Sequence, residues 1–226
     1  SMQVVARPWV KTEDYWDVYY DMMERIKLKF DENNIKSPFP SKMLYYENII
    51  DYPDTSEFIE KIKNQKMNSF STRGKWIVIE LDTDYLLVHL RMEGKFFFRE
   101  KDVPIEKHHH VVLTIDDSEE LHFQDVRKFG RMKLIPKNKI NEVPPFTELG
   151  LEPWDEKLTS NYLKEKFKNK KIPIKTVLLD QSIITGIGNI YDDEILFLSK
   201  INPLTPANKL KEEQLKKLFE DVYACL

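Results

Sequence analysis

The chain has 226 residues, a formal net charge of −3 and one cysteine, Cys225. That length holds one large domain or two small ones with real cores, while the charge offers no bulk attraction for nucleic acid, so such a partner must meet a local basic face. A single cysteine excludes disulfides and a cysteine-rich zinc site and fits a reducing cytoplasm; no apolar run is long enough to span a bilayer, and none reads as a signal peptide.

Ser1-Met2 reads as a vector-derived addition. Val4-Val5-Ala6 predicts a short strand, and Thr12-Glu13-Asp14 a helix start with acidic residues in its first turn. Trp16, Tyr19, Tyr20, Met23, Ile26 and Phe30 then recur at spacings of three and four, the period of an amphipathic helix. Asn33-Asn34 ends it, and Ser37-Pro38-Phe39-Pro40 is an extended breaker. From 43 to about 135 the pattern is mainly β. Strands are expected at 75–81 and 85–92, joined by a hairpin at Asp82-Thr83-Asp84, and at 96–98, 111–115 and 121–124. One helix, near 56–64, interrupts them. The proline-rich stretch 136–145 is a linker, and 160–167, 176–184, 191–198 and 211–225 read as four helices. The expected class is therefore α+β: an N-terminal strand–helix segment, a β-rich domain and a helical domain. No internal repeat is visible.

Several motifs carry chemistry. The run TVLLDQSIITGIGNIYDDE, from Thr176 to Glu194, breaks an apolar segment at Gly186-Ile187-Gly188-Asn189. Two glycines in three residues permit close approach of the backbone, and Asn189 is expected to cap the next helix, whose exposed N–H groups suit a phosphate. Arg73-Gly74-Lys75 opens a strand, placing Lys75 at a sheet rim as a phosphate partner, a proton donor or an ordinary edge lysine. In HLRMEGKF, strand alternation puts His89 and Arg91 on one face and Leu90 and Met92 on the other. Met92 is then either core or an apolar wedge between bases.

The segment from Asp125 to Arg131, DVRKFGR, sets three cations around Phe129, a grouping suited to stacking on and reading an unpaired base. His108-His109-His110 invites a metal reading, but adjacent strand residues face opposite ways. No metal is expected, and His110 is better placed for a phosphate contact. Lys164, Lys166, Lys168, Lys170, Lys171 and Lys175 form the local basic face that the net charge conceals.

Taken in order, RGK, HLRMEGKFF, HHHVVL, DVRKFGRM, ELGLEPW and LLDQSIITGIGNIYDDEILF resemble the formamidopyrimidine-DNA glycosylase family from about Met43 to the C-terminus. The resemblance implies a truncated β-sandwich domain over 43–145 and a helix–two-turn–helix domain over 146–226. It implies double-stranded DNA carrying an oxidised purine or abasic site as the partner. A damaged purine is flipped out and its void filled by three side chains, here Met92, Arg127 and Phe129. Phosphate-contacting positions match Lys75, His89, His110, Lys171 and Asn189, and Lys75 also matches the lysine that donates a proton during β-elimination.

Two defining parts of that family have no match. Its N-terminal proline, whose secondary amine attacks the sugar, and the following glutamate are replaced by SMQVVARPWV, in which Pro8 is internal and its nitrogen an amide. The four-cysteine zinc finger is absent too, so no cofactor is expected. Residues 1–42, from RPWVKTEDYWDVY to PFP, instead resemble the C-terminal cytoplasmic segment of a small-conductance mechanosensitive channel. The chain thus reads as a chimera: a cytoplasmic, monomeric damaged-DNA-binding core with crippled catalysis. The alternatives are a recombined or designed scaffold without activity, and an oligomerising module drawn from the channel.

Overall fold

The computed structural model describes residues 49–101 and 103–225. The expected strand at 4–6, the helix at 12–30 and the breaker at 37–40 lie outside these residues. Two compact units are formed: one runs to Thr72 and resumes over Trp76–Ile140, and the other joins Arg73–Lys75 to the chain from Asn141 onward.

The first unit is built of two sheets. β1 (Ile50–Tyr52), β2 (Ser69–Arg73), β3 (Trp76–Glu80), β4 (Asp84–His89) and β8 (Arg131–Pro136) form a five-stranded sheet in the order β1-β8-β4-β3-β2. β5 (Lys95–Glu100), β6 (His109–Thr114) and β7 (Glu119–Gln124) form a three-stranded sheet in the order β5-β7-β6. Period-two side chains from both sheets meet in one core: Ile77, Ile79, Val88, Met132 and Leu134 from the first, Val111, Leu113, Leu121 and Phe123 from the second. α1 (Thr55–Ile62) adds Phe58 and Ile62, and its start is fixed by Asp54 Oδ1, which accepts from the amides of Ser56 and Glu57.

The predicted β3–β4 turn forms. Leu81 N donates to Asp84 O at 2.8 Å across the β3–β4 hairpin. Buried Asp84 is held there by Gln65 Nε2 at 2.7 Å. At the β6–β7 turn, Asp116 Oδ1 collects the amides of Ser118 and Glu119. β1, β2 and β8 were not among the expected strands; IDY is too short and SFSTR too polar to read as strands, and RMKLIP runs straight into the proline-rich stretch read as a linker.

The second unit is helical, with α2 (Ser160–Phe167), α3 (Ile174–Leu178), α4 (Asn189–Leu198) and α5 (Glu212–Cys225). Thr159 caps α2 by accepting from Tyr162 N at 3.1 Å. The helix expected over 176–184 is shorter and starts earlier, behind Pro173 at its N-cap. It stops because Asp180 turns the chain, its Oδ1 accepting from Ser182 N at 3.1 Å and from Ser182 Oγ at 2.6 Å. Ile184 instead makes a parallel bridge to Leu151. Among the described residues, no helix is long and apolar enough to cross a membrane.

Candidate nucleic-acid interface

Predicted site residues fall in both units. In the first unit, β4 ends at His89 and the chain turns through Leu90–Gly94, with Gly94 N donating to Leu90 O at 3.0 Å. Arg91 has φ of 55°, so the strand alternation expected for His89, Leu90, Arg91 and Met92 does not extend past His89. This correction moves Met92 to the tip of a turn, where it is 71% exposed and cannot be core.

Arg127 approaches from the loop after β7. Its Nη1 donates to Met92 Sδ at 3.2 Å, and its guanidinium lies 4.6 Å from the centre of the Phe129 ring, which is itself 44% exposed. Three side chains from two turns thus form one exposed cluster. Phe123, fully buried, sets the spacing beneath it. A Cβ on Gly94 would stand 2.9 Å from Phe123 Cζ, and one on Gly130 2.5 Å from the same atom, so neither turn accepts a side chain there.

His89 stands at the end of β4, paired across the ladder with Trp76 on one side and Arg131 on the other. Its Nδ1 accepts from Arg91 N at 3.0 Å, and its ring meets Trp76 edge-on at 5.1 Å. His110 is buried, with Nε2 2.8 Å from Asp125 O. Burial, above all, holds its pKa below the usual histidine value, so at neutral pH the ring is uncharged. His109 points elsewhere, its Nδ1 2.9 Å from Nδ1 of His122. Among the described residues, no group of three or more His, Cys, Asp or Glu is arranged to hold a metal.

In the second unit, the turn Arg73–Lys75 is locked in place. Arg73 Nη2 donates to Gly150 O at 2.6 Å, and Glu152 Oε1 accepts from Gly74 N at 2.7 Å and pairs with Arg73 Nη1 at 2.9 Å. Lys75 follows, and a Cβ on Gly188 would lie 3.7 Å from its Nζ. The ammonium therefore rests against the glycine turn singled out in the sequence. Gln181, not anticipated, braces that turn: Oε1 accepts from Gly186 N at 3.0 Å, and Nε2 donates to Ile187 O at 2.9 Å. Its only sequence signal is a lone amide side chain inside an apolar run.

Asn189 is the first helical residue of α4 and does not cap it; Gly188 occupies the N-cap without a side-chain bond. The expected cap fails because the extended backbone at the boundary, φ −111° and ψ 178°, falls one residue earlier. Asn189 is exposed beside the first amides of α4, which have no intrahelical acceptors.

The lysine face is largely spent within the chain. Lys170 pairs with Asp180 at 3.3 Å, Lys175 with Asp193, and Lys164 with Glu212 at 3.9 Å, while Lys166 lies 5.5 Å from the centre of the Tyr162 ring. Lys171 is exposed on a segment fixed by Asn208 N donating to Lys170 O and Ala207 N to Ile172 O.

The geometry around Gly74 gives a direct expectation. Its φ is +58°, and a Cβ there would fall 2.1 Å from Thr185 Oγ1. Gly74→Ala should cost roughly 2–4 kcal/mol of stability from left-handed backbone strain and overpacking. Urea unfolding of the variant beside the parent chain measures it, and a loss under about 0.5 kcal/mol, the range of neutral surface changes, contradicts the geometry.

A β-sandwich bearing an exposed Met–Arg–Phe cluster, with a helical unit whose glycine turn opens a helix, defines a protein of the helix–two-turn–helix class. The formamidopyrimidine-DNA glycosylase N-terminal domain model matches residues 24–132, beginning upstream of Met43, and the H2TH domain model of the same family matches residues 149–226. Formamidopyrimidine-DNA glycosylase of Cytobacillus firmus is 38% identical over 205 residues, 90% of this chain and 75% of that protein. The Bacillus cereus enzyme is 43% identical over 177 residues, 77% of this chain; the aligned part spans 64% of that relative's length. Lactococcus lactis Fpg in complex with abasic-site DNA superposes with a TM-score of 0.79 at 30% identity, over 89% of this chain and 74% of that one. The same protein bound to FAPY-dG-containing DNA has the same score. This chain belongs to the formamidopyrimidine-DNA glycosylase family. The model for the C-terminal region of the mechanosensitive ion channel MscS matches residues 1–37, so the two resemblances overlap over residues 24–37.

Proposed function

We propose that this protein binds duplex DNA at an abasic site or oxidised purine and holds it without completing glycosylase chemistry. The observation that carries the reading is the cluster of Met92, Arg127 and Phe129, exposed together on two turns that Phe123 spaces from below. An exposed apolar side chain, a guanidinium and an aromatic ring are the groups needed to enter a stack and contact an orphaned base. His89, Lys171 and Asn189 serve as phosphate contacts, with Lys75 beside Gly188 as both phosphate partner and proton donor. His110, neutral and buried, contributes a hydrogen bond rather than a charge.

Catalysis by an amine nucleophile requires a non-amide nitrogen. Pro8 is followed and preceded by peptide bonds, and residues 1–37 match a channel segment, so the proline amine used by the family has no counterpart in these residues. Borohydride reduction in the presence of abasic-site DNA is expected to yield no covalent adduct while binding is retained. An adduct abolished by Lys75→Ala would reverse the claim of inactivity and assign the reacting amine to Lys75. Equal affinity for damaged and undamaged duplexes would remove the damage-reading proposal itself.

A further inference from the structure

In the motif DVRKFGR, Arg131 counts as one of three cations available to DNA. Its geometry assigns it elsewhere. Arg131 Nη1 lies 3.3 Å from Lys128 O, 3.2 Å from Phe129 O and 2.8 Å from Gly130 O, so three successive carbonyls of the loop converge on one guanidinium nitrogen. The residue itself is a fixed post, because it opens β8 and is in register with His89 on β4.

The amides of the same loop are gathered by a different charge. Asp125, 1% exposed, accepts from Arg127 N at 3.1 Å through Oδ1 and from Gly130 N at 2.7 Å through Oδ2. Its own carbonyl faces His110 Nε2, and its N–H donates to His108 O at 3.0 Å. The Asp125 carboxylate thus takes the N–H groups of Arg127 and Gly130, the Asp125 carbonyl that of Lys128 at 3.3 Å, and a guanidinium takes three of the loop's C=O groups. Such a clasp holds Lys128 at φ of 57°, a conformation a non-glycine residue adopts only at some cost. The backbone is closed on itself, and the loop presents the side chains of Val126, Arg127 and Phe129 outward.

We propose that Arg131 is a positioning residue for the damage-reading loop, acting through the carbonyls of Lys128, Phe129 and Gly130, and not a phosphate contact; this rests on the DNA-binding role proposed above. Charge alone does not suffice for it, since a flexible, strongly hydrated ammonium does not replace a planar guanidinium seated against three carbonyls.

The test is equilibrium binding of abasic-site and undamaged duplexes across a salt series, using the full chain, Arg131→Lys and Arg131→Ala, together with amide hydrogen exchange of the DNA-free proteins. In both variants the preference for the abasic-site duplex should fall roughly tenfold, the effect of losing one charged hydrogen-bond system. Affinity for undamaged duplex and its salt slope should stay as in the parent, and the amides of 125–130 should exchange faster. A direct phosphate contact behaves differently: Arg131→Ala would weaken both duplexes alike and lower the salt slope by about one, and lysine would restore binding. That pattern overturns the proposal. If the parent chain shows no damage preference, the DNA-reading proposal has failed, and the exchange measurement still decides the role of Arg131: unchanged loop exchange in both variants overturns it.

Discussion

Replacing Arg127 with alanine is expected to lower affinity for an abasic-site duplex by roughly ten- to a hundredfold, while undamaged duplex loses no more than about threefold. The asymmetry follows from what Arg127 touches. Its guanidinium joins Met92 Sδ to the face of Phe129, and no carboxylate within the described residues pairs with it. Truncation removes both the hydrogen-bonding group that would meet an orphaned base and the contact holding two exposed apolar groups together. In the proposed binding mode the sequence-independent attraction to phosphates is assigned to other residues, so it should persist. Lys171→Ala supplies the contrast: both duplexes should weaken together, and the salt slope should fall by about one. Fluorescence anisotropy at two ionic strengths measures all four quantities. A loss of equal size on both duplexes for Arg127→Ala would show that Arg127 is a phosphate contact and that the cluster does not read damage.

The parts of this molecule that were legible in its sequence are those governed by local periodicity. The helix at 160–167 appears with the bounds its spacing predicts, because Thr159 caps it and Leu163 and Phe167 anchor its buried face. The β3–β4 hairpin follows from two apolar runs around Asp82-Thr83-Asp84. Periodicity failed where a long-range partner decides. Ile183 and Ile184 continue an apolar pattern, yet the Leu151 bridge draws Ile184 out of any helix. Met92 sits in a pattern that reads as strand core until Gly94 closes the turn against Leu90 O.

The candidate site divides in the same way. Residue types that must face a ligand stand out in the motifs, because charges and aromatics grouped at a loop are unusual. Residues that hold those motifs do not stand out. Asp125, Gln181 and Arg131 act through backbone atoms, and a sequence shows which side chains are polar, not which amides and carbonyls they will find. The lysine run reads as a basic face, but its internal partners were not legible: four of the six lysines also meet Asp180, Asp193, Glu212 or the Tyr162 ring, each supplied by another part of the helical unit or another turn of its own helix.

Asp192→Asn is expected to stabilise the protein by roughly 2–3 kcal/mol at pH 8 and by only about 0.5 kcal/mol at pH 4. Asp192 lies in the first turn of α4, fully buried, and neither carboxylate oxygen has a hydrogen-bond partner among the described residues. Burial pushes its pKa up to about 6 from the ordinary 3.8; Lys175 opposes the shift and Asp193 adds to it. The folded state therefore binds this proton more tightly than the unfolded state does. Below pH 3.8 both states are protonated and the residue costs little. As pH rises from there through 6, the unfolded chain ionises freely and the folded one only against the loss of solvation, so stability falls and then levels off above 6. Asparagine keeps the shape and removes the charge, so it should abolish this slope. The same substitution bears on the glycine turn, because a negative charge in the first turn of α4 neutralises the positive end of the helix to which a phosphate would bind. Affinity for undamaged duplex at pH 8 should accordingly rise by about two- to fivefold, the worth of one charge at a helix terminus. Chemical denaturation at pH 4, 6 and 8, paired with binding at pH 8, separates the two effects. Equal stabilisation at all three values would mean that packing rather than ionisation sets the cost of Asp192, and unchanged binding would mean that no phosphate sits at the start of α4.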